Sequence, residues 1–433
     1  MIQGGYPLAG EIVASGNKNA ALPVLAACLL TEEEVVVRNL PRIRDTDAQL
    51  RLLERLGVKV EPLDEHSVRL QADAVTDTTV DEETANLIRA SFLLAGPLLA
   101  RFGEAHMPPP GGDSIGRRRL DPHLDAFRDL GATVDGEREI DLAAPPEGLK
   151  ACRIFMDEPS VMGTENALMA AALTPGPTTI QNAACEPHVQ NLAQLLTAMG
   201  AKVDGIGSNT MTIHGRETLG GAEHSIRPDH IEIASFMALA AATGGELRVR
   251  DTEPEDLVNI RRHFRRLGLQ SMVEGRDILV APEQRLAVKA DAGDAIPKVE
   301  DGPWPAFPAD LTSIALALAT QAEGTVLIFE KMFENRLFFV DKLVTMGARI
   351  TVCDPHRAIV SGPSSLHGER LESPDIRAGM AMLIAALAAE GSSEINNINQ
   401  IDRGYERIDQ RLRDLGARIE RVSTDTATHH VHA

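Results

Sequence analysis

One phrase constrains this chain more than any other. A pattern close to Leu-x-x-Leu-Gly-Ala-x-Val occurs six times, at Leu53–Val60, Phe127–Val134, Leu196–Val203, Phe264–Ser271, Leu343–Ile350 and Leu412–Ile419. Its glycines, Gly57, Gly131, Gly200, Gly268, Gly347 and Gly416, are 74, 69, 68, 79 and 69 residues apart. A near-constant period of that size marks one structural unit used repeatedly. Apolar residues recurring at three and four predict a helix. Glycine at its end supplies the left-handed C′ residue. The alternation that follows begins a strand.

A second helix recurs in each unit. It is Ala/Leu-rich and passes into a short strand. The six pairs are Ala20–Leu30 into Val35–Arg38, Ile88–Ala100 into Ala105–Met107, Asn166–Leu173 into Thr178–Asn182, Ile233–Ala242 into Glu246–Arg250, Leu311–Thr320 into Thr325–Phe329, and Ala378–Ala389 into Ser393–Asn397. A helix apolar nearly all round is buried, so the amphipathic helix before each glycine should cover it. The pattern predicts an α/β protein of sheets packed on helices. At 433 residues the chain divides naturally into two domains of three repeats, with the change near residues 216–229.

Composition narrows the function. A net charge of −20 argues against a nucleic-acid binder or an anionic-membrane binder, and one Trp with two Tyr argues against a base-stacking surface. Cys28, Cys152, Cys185 and Cys353 form no CxxC pair, so no zinc site or disulfide framework is expected. The N-terminus lacks a signal-peptide pattern, and the longest Ala-rich run, Met380–Ala389, is too short to span a membrane. A cytoplasmic protein is expected. The His-rich end (His429, His430, His432) reads as a frayed tail.

Any anion site in so acidic a chain must be local. Residues 108–121 read Pro-Pro-Pro-Gly-Gly-Asp-Ser-Ile-Gly-Arg-Arg-Arg-Leu-Asp, a stiff approach, a flexible tip with Asp113, and the cluster Arg117–Arg119. By itself this is either a solvated surface loop or a lid over an anion. Gly16-Asn17-Lys18-Asn19 opens the first buried helix, where free N–H groups suit an anion, or where a cap and a solvated lysine suffice. Arg89 and Arg377 sit at the heads of helices meant for burial, so each needs an anionic partner, protein or ligand. Asp310, in Phe307-Pro-Ala-Asp310, is an N-cap or a general base. Phe333-Glu-Asn-Arg336 and Asp402–Glu406 are polar clusters following strands, where α/β proteins place ligands.

With these residues together, the chain resembles the enolpyruvyl transferases, and within them the branch acting on UDP-N-acetylglucosamine at the start of peptidoglycan precursor synthesis. Ser15–Pro23, Arg89-Ala-Ser91, Gly111–Asp121, Ser160-Val161 with Gly163, Phe307–Asp310, Phe333–Arg336 and Asp402–Arg407 carry the resemblance, from about Gly10 to Val422. The related shikimate-pathway transferases have Ser-Lys-Ser where this chain has Asn17-Lys18-Asn19. The resemblance implies a two-domain inside-out α/β barrel of six βαββαβ repeats. Residues 18–228 would form one domain, residues 1–17 with 229–433 the other, and the cleft between them the active site. Phosphoenolpyruvate and UDP-N-acetylglucosamine would be the ligands, with no cofactor, no metal and no obligate protein partner.

The resemblance also implies roles. Lys18, Arg118 and Arg403 would hold phosphoenolpyruvate, supported by Arg89 and Arg377. Asn19, Asp310 and the Ser160–Gly163 turn, Val161 included, would hold the sugar nucleotide. Arg44, Glu334, Arg336 and Asp375 fall on further substrate-binding positions. Asp310 would accept the proton of the sugar 3-hydroxyl and Asp113 would protonate C3 of phosphoenolpyruvate. Three departures stand out. Asp113 replaces the cysteine usual at the lid tip, which fosfomycin alkylates. Glu158 stands where a lysine is usual, and Arg119, in place of a common proline, is a cation near enough in sequence to compensate. His230 stands where an arginine is frequent.

Overall fold

The computed structural model describes residues 1–422; His429, His430 and His432 lie outside them. The twelve helices used below occur two per repeat. They are α1 (Lys18–Ala26), α2 (Arg44–Arg55), α3 (Ala95–Phe102), α4 (Asp121–Asp129), α5 (Val161–Ala172), α6 (Pro187–Ala198), α7 (His230–Ala242), α8 (Val258–Arg266), α9 (Thr312–Ala319), α10 (Val340–Thr345), α11 (Ile376–Ala388) and α12 (Ile408–Asp414). Odd-numbered helices are the Ala/Leu-rich set. In α7 every residue from His230 to Ala241 is buried, and in α11 every residue from Ile376 to Leu387. Burying each large apolar side chain contributes roughly 1.5–3 kcal/mol before chain entropy is subtracted. Small alanines between them let the odd helices pack against one another.

All six repeat glycines have positive φ, from 91° at Gly268 to 111° at Gly200. The phrase therefore ends a helix and turns the chain into a strand at every occurrence, as its spacing predicts. Each repeat contributes one small sheet. Five sheets have four strands and one has three. A typical one pairs Thr178 with Ile213 antiparallel and Ile180 with Ile154 parallel. No helix among the described residues is long and apolar enough to cross a membrane.

The buried apolar residues form two clusters. One runs from Ala20 to Ile226. The other combines Ile2–Ala14 with Ile231–Ala417. The strands follow the same division: Ala9–Val13 pairs with Glu246–Arg250, whereas Ala222–Ser225 pairs with Val35–Arg38. The chain thus passes between the clusters twice, near residues 14–18 and 226–230. The two passages bond to each other, Asn17 N donating to Arg227 O at 2.8 Å and Asp229 N to Ser15 O at 2.9 Å. Asp229 caps α7 by accepting from Ile231 N and Glu232 N, and it also accepts from Lys18 N at 3.3 Å. One carboxylate so ties the heads of α1 and α7 together, and both heads face the cavity described next.

Candidate active site

Between the two clusters lies a cavity of about 1300 Å³, its solvent-open mouth included. Helix and turn N-termini from both clusters converge on it. Lys18 and Asn19 come from the head of α1, which Asn17 caps by accepting from Ala20 N at 2.9 Å. Arg89 opens the turn Arg89–Leu94, and Asp310 lies in the turn Ala309–Leu311. Arg377 is in the first turn of α11, and Arg403 ends the turn Ile398–Arg403. Arg336 lies between the strand Gly324–Phe329 and α10. The loop 108–121 contributes Asp113 and Arg118.

That loop is docked. Asn335 N donates to Ile115 O at 3.0 Å, and Arg117 N donates to Glu334 Oε2 at 3.1 Å. Gly116 has φ of +140°, and a Cβ there would meet the Glu334 carboxylate, so only glycine permits the approach. At the tip, Asp113 pairs with Arg403 of the other cluster.

Asp310 is not an N-cap; Pro308 occupies the cap of its turn. Its carboxylate instead accepts from Arg336 at 2.5 Å, from Arg377 at 2.9 Å, and from Asn19 at 3.4 Å. Burial alone would raise its pKa, but Arg377, Arg336 and Lys18 outweigh burial and hold it far below the usual carboxylate range. Asp45 behaves similarly between Lys18 Nζ at 3.0 Å and Arg403 Nε at 2.9 Å. Against its own desolvation, these two cations keep it below normal.

Arg89 and Arg118 differ from the other cations. Among the described residues neither makes an ion pair with an acid, and Arg89 donates to the Arg118 carbonyl at 2.5 Å. Burial, aided by the Arg118 charge, pushes Arg89 down to about 10. Arg118 is also lowered, chiefly by burial. Buried guanidinium groups in this condition are stabilised by an incoming anion. Six cations line the cavity: Lys18, Arg89, Arg118, Arg336, Arg377 and Arg403. Asp45, Asp113 and Asp310 offset three of them, while the remaining acids, Glu165 and Glu186, are pushed toward the neutral form. Six cations thus face five acids, two of them pushed toward the neutral form, a positive surplus that suits a polyanion.

Of the expected substrate contacts, Lys18, Asn19, Arg89, Asp113, Arg118, Val161, Asp310, Arg336, Arg377 and Arg403 line the cavity. Five others, Arg44, Ser160, Gly163, Glu334 and Asp375, do not line it. Arg44 is exposed at the start of α2 and lies off the cavity; a helix turns about 100° per residue, so Asp45 points inward instead. Glu334 is exposed and grips the loop. Asp375 caps α11 by accepting from Arg377 N and Ala378 N, so it positions Arg377 rather than reaching the cavity. Ser160 caps α5 and accepts from Gly163 N at 3.2 Å, at the cavity's edge. Arg119 reaches Asp157 at 2.8 Å and Glu158 at 3.6 Å, so the acid at the unusual position is already paired. His230 is buried, its ring stacked on His188 with centroids 6.2 Å apart. Sequence reasoning missed Asp45, Glu165, Glu186, His188 and Trp304. For Glu165 a signal existed: it is the one charged residue in a helix meant for burial.

This fold and this cationic cleft define an enolpyruvyl transferase. Residues 2–412 match the family of EPSP synthase (3-phosphoshikimate 1-carboxyvinyltransferase), and the chain belongs to that family. It is 55% identical to the UDP-N-acetylglucosamine 1-carboxyvinyltransferase of Bradyrhizobium diazoefficiens, with 98% of this chain and 97% of that protein covered. It is 54% identical to the protein of the same name from Treponema denticola, covering 97% and 98%. Among solved structures, the enolpyruvyl transferase NikO from Streptomyces tendae is similar, with a TM-score of 0.85 at 25% identity over 96% of this chain and 97% of that one. EPSP synthase from Acinetobacter baumannii shares the fold, with a TM-score of 0.72 at 19% identity over 96% and 97%.

Proposed function

We propose that the protein transfers the enolpyruvyl group of phosphoenolpyruvate to the 3-hydroxyl of UDP-N-acetylglucosamine and releases phosphate, the step that commits the sugar to peptidoglycan synthesis. The observation that carries this is the pair of buried arginines without an acidic partner, Arg89 and Arg118, in a cavity whose cations outnumber its acids. Phosphoenolpyruvate is a trianion. The names of the two curated relatives supply the acceptor.

In this reading Lys18, Arg118 and Arg403 hold the phosphate and carboxylate, and Arg89 and Arg377 support them. Asp113 delivers a proton to C3, which makes C2 electrophilic. The sugar 3-hydroxyl attacks C2 while Asp310 takes its proton. Asp310 is a weak base beside two arginines, but a hydroxyl bonding to a cationic carbon becomes strongly acidic, so a weak base suffices. The tetrahedral adduct then returns a C3 proton to the Asp113 carboxylate and expels phosphate, whose charge the fixed cations stabilise. Residues 18–228 and residues 1–17 with 229–433 act as two domains that close on the ligands about the paired crossings. Four cysteines without disulfides suit a reducing cytoplasm.

Phosphate release with phosphoenolpyruvate and a panel of UDP-sugars tests this. Release with UDP-N-acetylglucosamine alone is expected. Release only with a different sugar, or with none, overturns it.

A further inference from the structure

The cavity has a second pole that the mechanism above does not use. Glu165 on α5 is 1% exposed, and its Oε1 finds no hydrogen-bond partner among the described residues. Glu186, at the N-cap of α6, lends Oε1 to Trp304 N at 3.5 Å, while its Oε2 is unpartnered. His188, the second residue of α6, is 7% exposed, and its Nδ1 is likewise unpartnered. All three line the cavity. Buried polar atoms without partners cost stability, so three on one wall form a surface built for a ligand.

The polarity of this wall differs from that of the other pole. Beside the arginines, Asp45 and Asp310 are held ionised by Lys18, Arg403, Arg336 and Arg377. Burial pushes Glu186 up, and burial together with Glu186 pushes Glu165 up, with no cation opposing either shift. Burial also holds His188 neutral, down to about 3. An anion placed beside Glu165 and Glu186 would meet two carboxyl groups, neither of them balanced by a cation. A hydroxyl or amide N–H would find free acceptors.

We infer that Glu165, Glu186 and His188 form the acceptor-selecting wall of the cleft, which hydrogen-bonds the uncharged hydroxyl and amide groups of the sugar and excludes a sugar carrying a carboxylate. The inference rests on the reading of the acceptor as a nucleotide sugar. It divides the cavity's labour: the trianion goes to the arginine pole and the neutral sugar ring to the acidic pole. The wall also opposes binding of phosphoenolpyruvate in the acceptor's place.

Calorimetric binding of UDP-N-acetylglucosamine and of UDP-N-acetylglucosaminuronic acid tests this with wild type, Glu165→Gln and Glu186→Gln. Both substitutions keep shape and remove the acid, and thermal melting checks the fold. Wild type should bind the neutral sugar at least about 100-fold tighter than the uronate. Each variant should narrow that ratio at least about tenfold, chiefly by binding the uronate better. An unchanged ratio in both variants overturns the inference, as does equal weakening of both sugars with a lowered melting temperature, which marks a structural role. The two readings fail separately. A shifted ratio without any phosphate release supports the wall and removes the transferase reaction.

Discussion

Replacing Asp310 by Asn separates two claims in one variant. The carboxylate lies between Arg336 and Arg377, whose side chains are 6% and 5% exposed. Removing its charge leaves two buried cations facing a neutral amide. Breaking a buried pair costs about 3–5 kcal/mol, and the 24% exposure of the Asp310 side chain to the cavity places the cost near the lower end, about 3 kcal/mol. At roughly 2–4 °C per kcal/mol for domains of this size, the melting temperature should fall by about 6–12 °C. The catalytic loss is separate. Removing a positioned base should lower kcat by about 10²–10⁴-fold. Scanning calorimetry reads the first effect, and coupled phosphate detection at saturating substrates reads the second. Binding of phosphoenolpyruvate should be retained, since the cation surplus grows. A kcat within tenfold of wild type would show that the base lies elsewhere. An unchanged melting temperature would show that the arginine clamp does not need this carboxylate.

Asp113→Asn should fold normally and lose turnover by at least about 10²-fold, because no other acid on the loop reaches the cavity; near-normal phosphate release would relocate the proton donor. With a carboxylate rather than a thiol at the tip, the wild-type enzyme should keep its activity after prolonged incubation with fosfomycin, and rapid inactivation would refute this. Arg119→Ala should free the Asp157 and Glu158 carboxylates it now pairs and raise the Kd for UDP-N-acetylglucosamine several-fold in calorimetry, with the Kd for phosphoenolpyruvate unmoved. Away from the site, burial pushes Asp256 up to about 6 although Arg227 Nη2 lies 3.1 Å away. Its folded state therefore holds the proton more tightly than the unfolded chain, and stability should decline as pH rises from about 4 to 6. The slope amounts to at most about 3 kcal/mol at 1.4 kcal/mol per unit. Asp256→Asn should flatten that part of a urea-denaturation profile, and an unchanged slope would assign it to another group.

The repeats were legible because helix end, glycine and strand start are local events. Gly57 and its five counterparts need left-handed geometry whatever surrounds them. The six buried helices were legible for a related reason, since an all-round apolar surface has one use. What the sequence hid is contact between distant segments. Nothing near Asp45 announces that Lys18 and Arg403 will close on it, and the resemblance pointed only to the neighbouring Arg44. Asp310 shows the same limit. Its position at a helix head suggested a cap, whereas residues 26 and 67 positions away decide its role. Arg89 was readable only as a question, an arginine needing an anion. The structure sharpens it by supplying a carbonyl where an acid was one possible answer.

The double crossing between the clusters also sets an order of assembly. The cluster from Ala20 to Ile226 receives its last strand when Ala222–Ser225 pairs with Val35–Arg38, roughly midway through synthesis. The strand at residues 2–3 must wait for the other end of the chain, because Ile2 pairs with both Ser393 and Ile419. On a ribosome that emits the chain from its N-terminus, the first residues made are among the last to find a place. Through the second half of synthesis they hang from a finished unit, held beside residue 227 by the crossing. That short tether keeps the loose segment near where its partners will emerge. It also removes part of the loop-closure entropy that pairing residue 2 with residue 419 would otherwise cost.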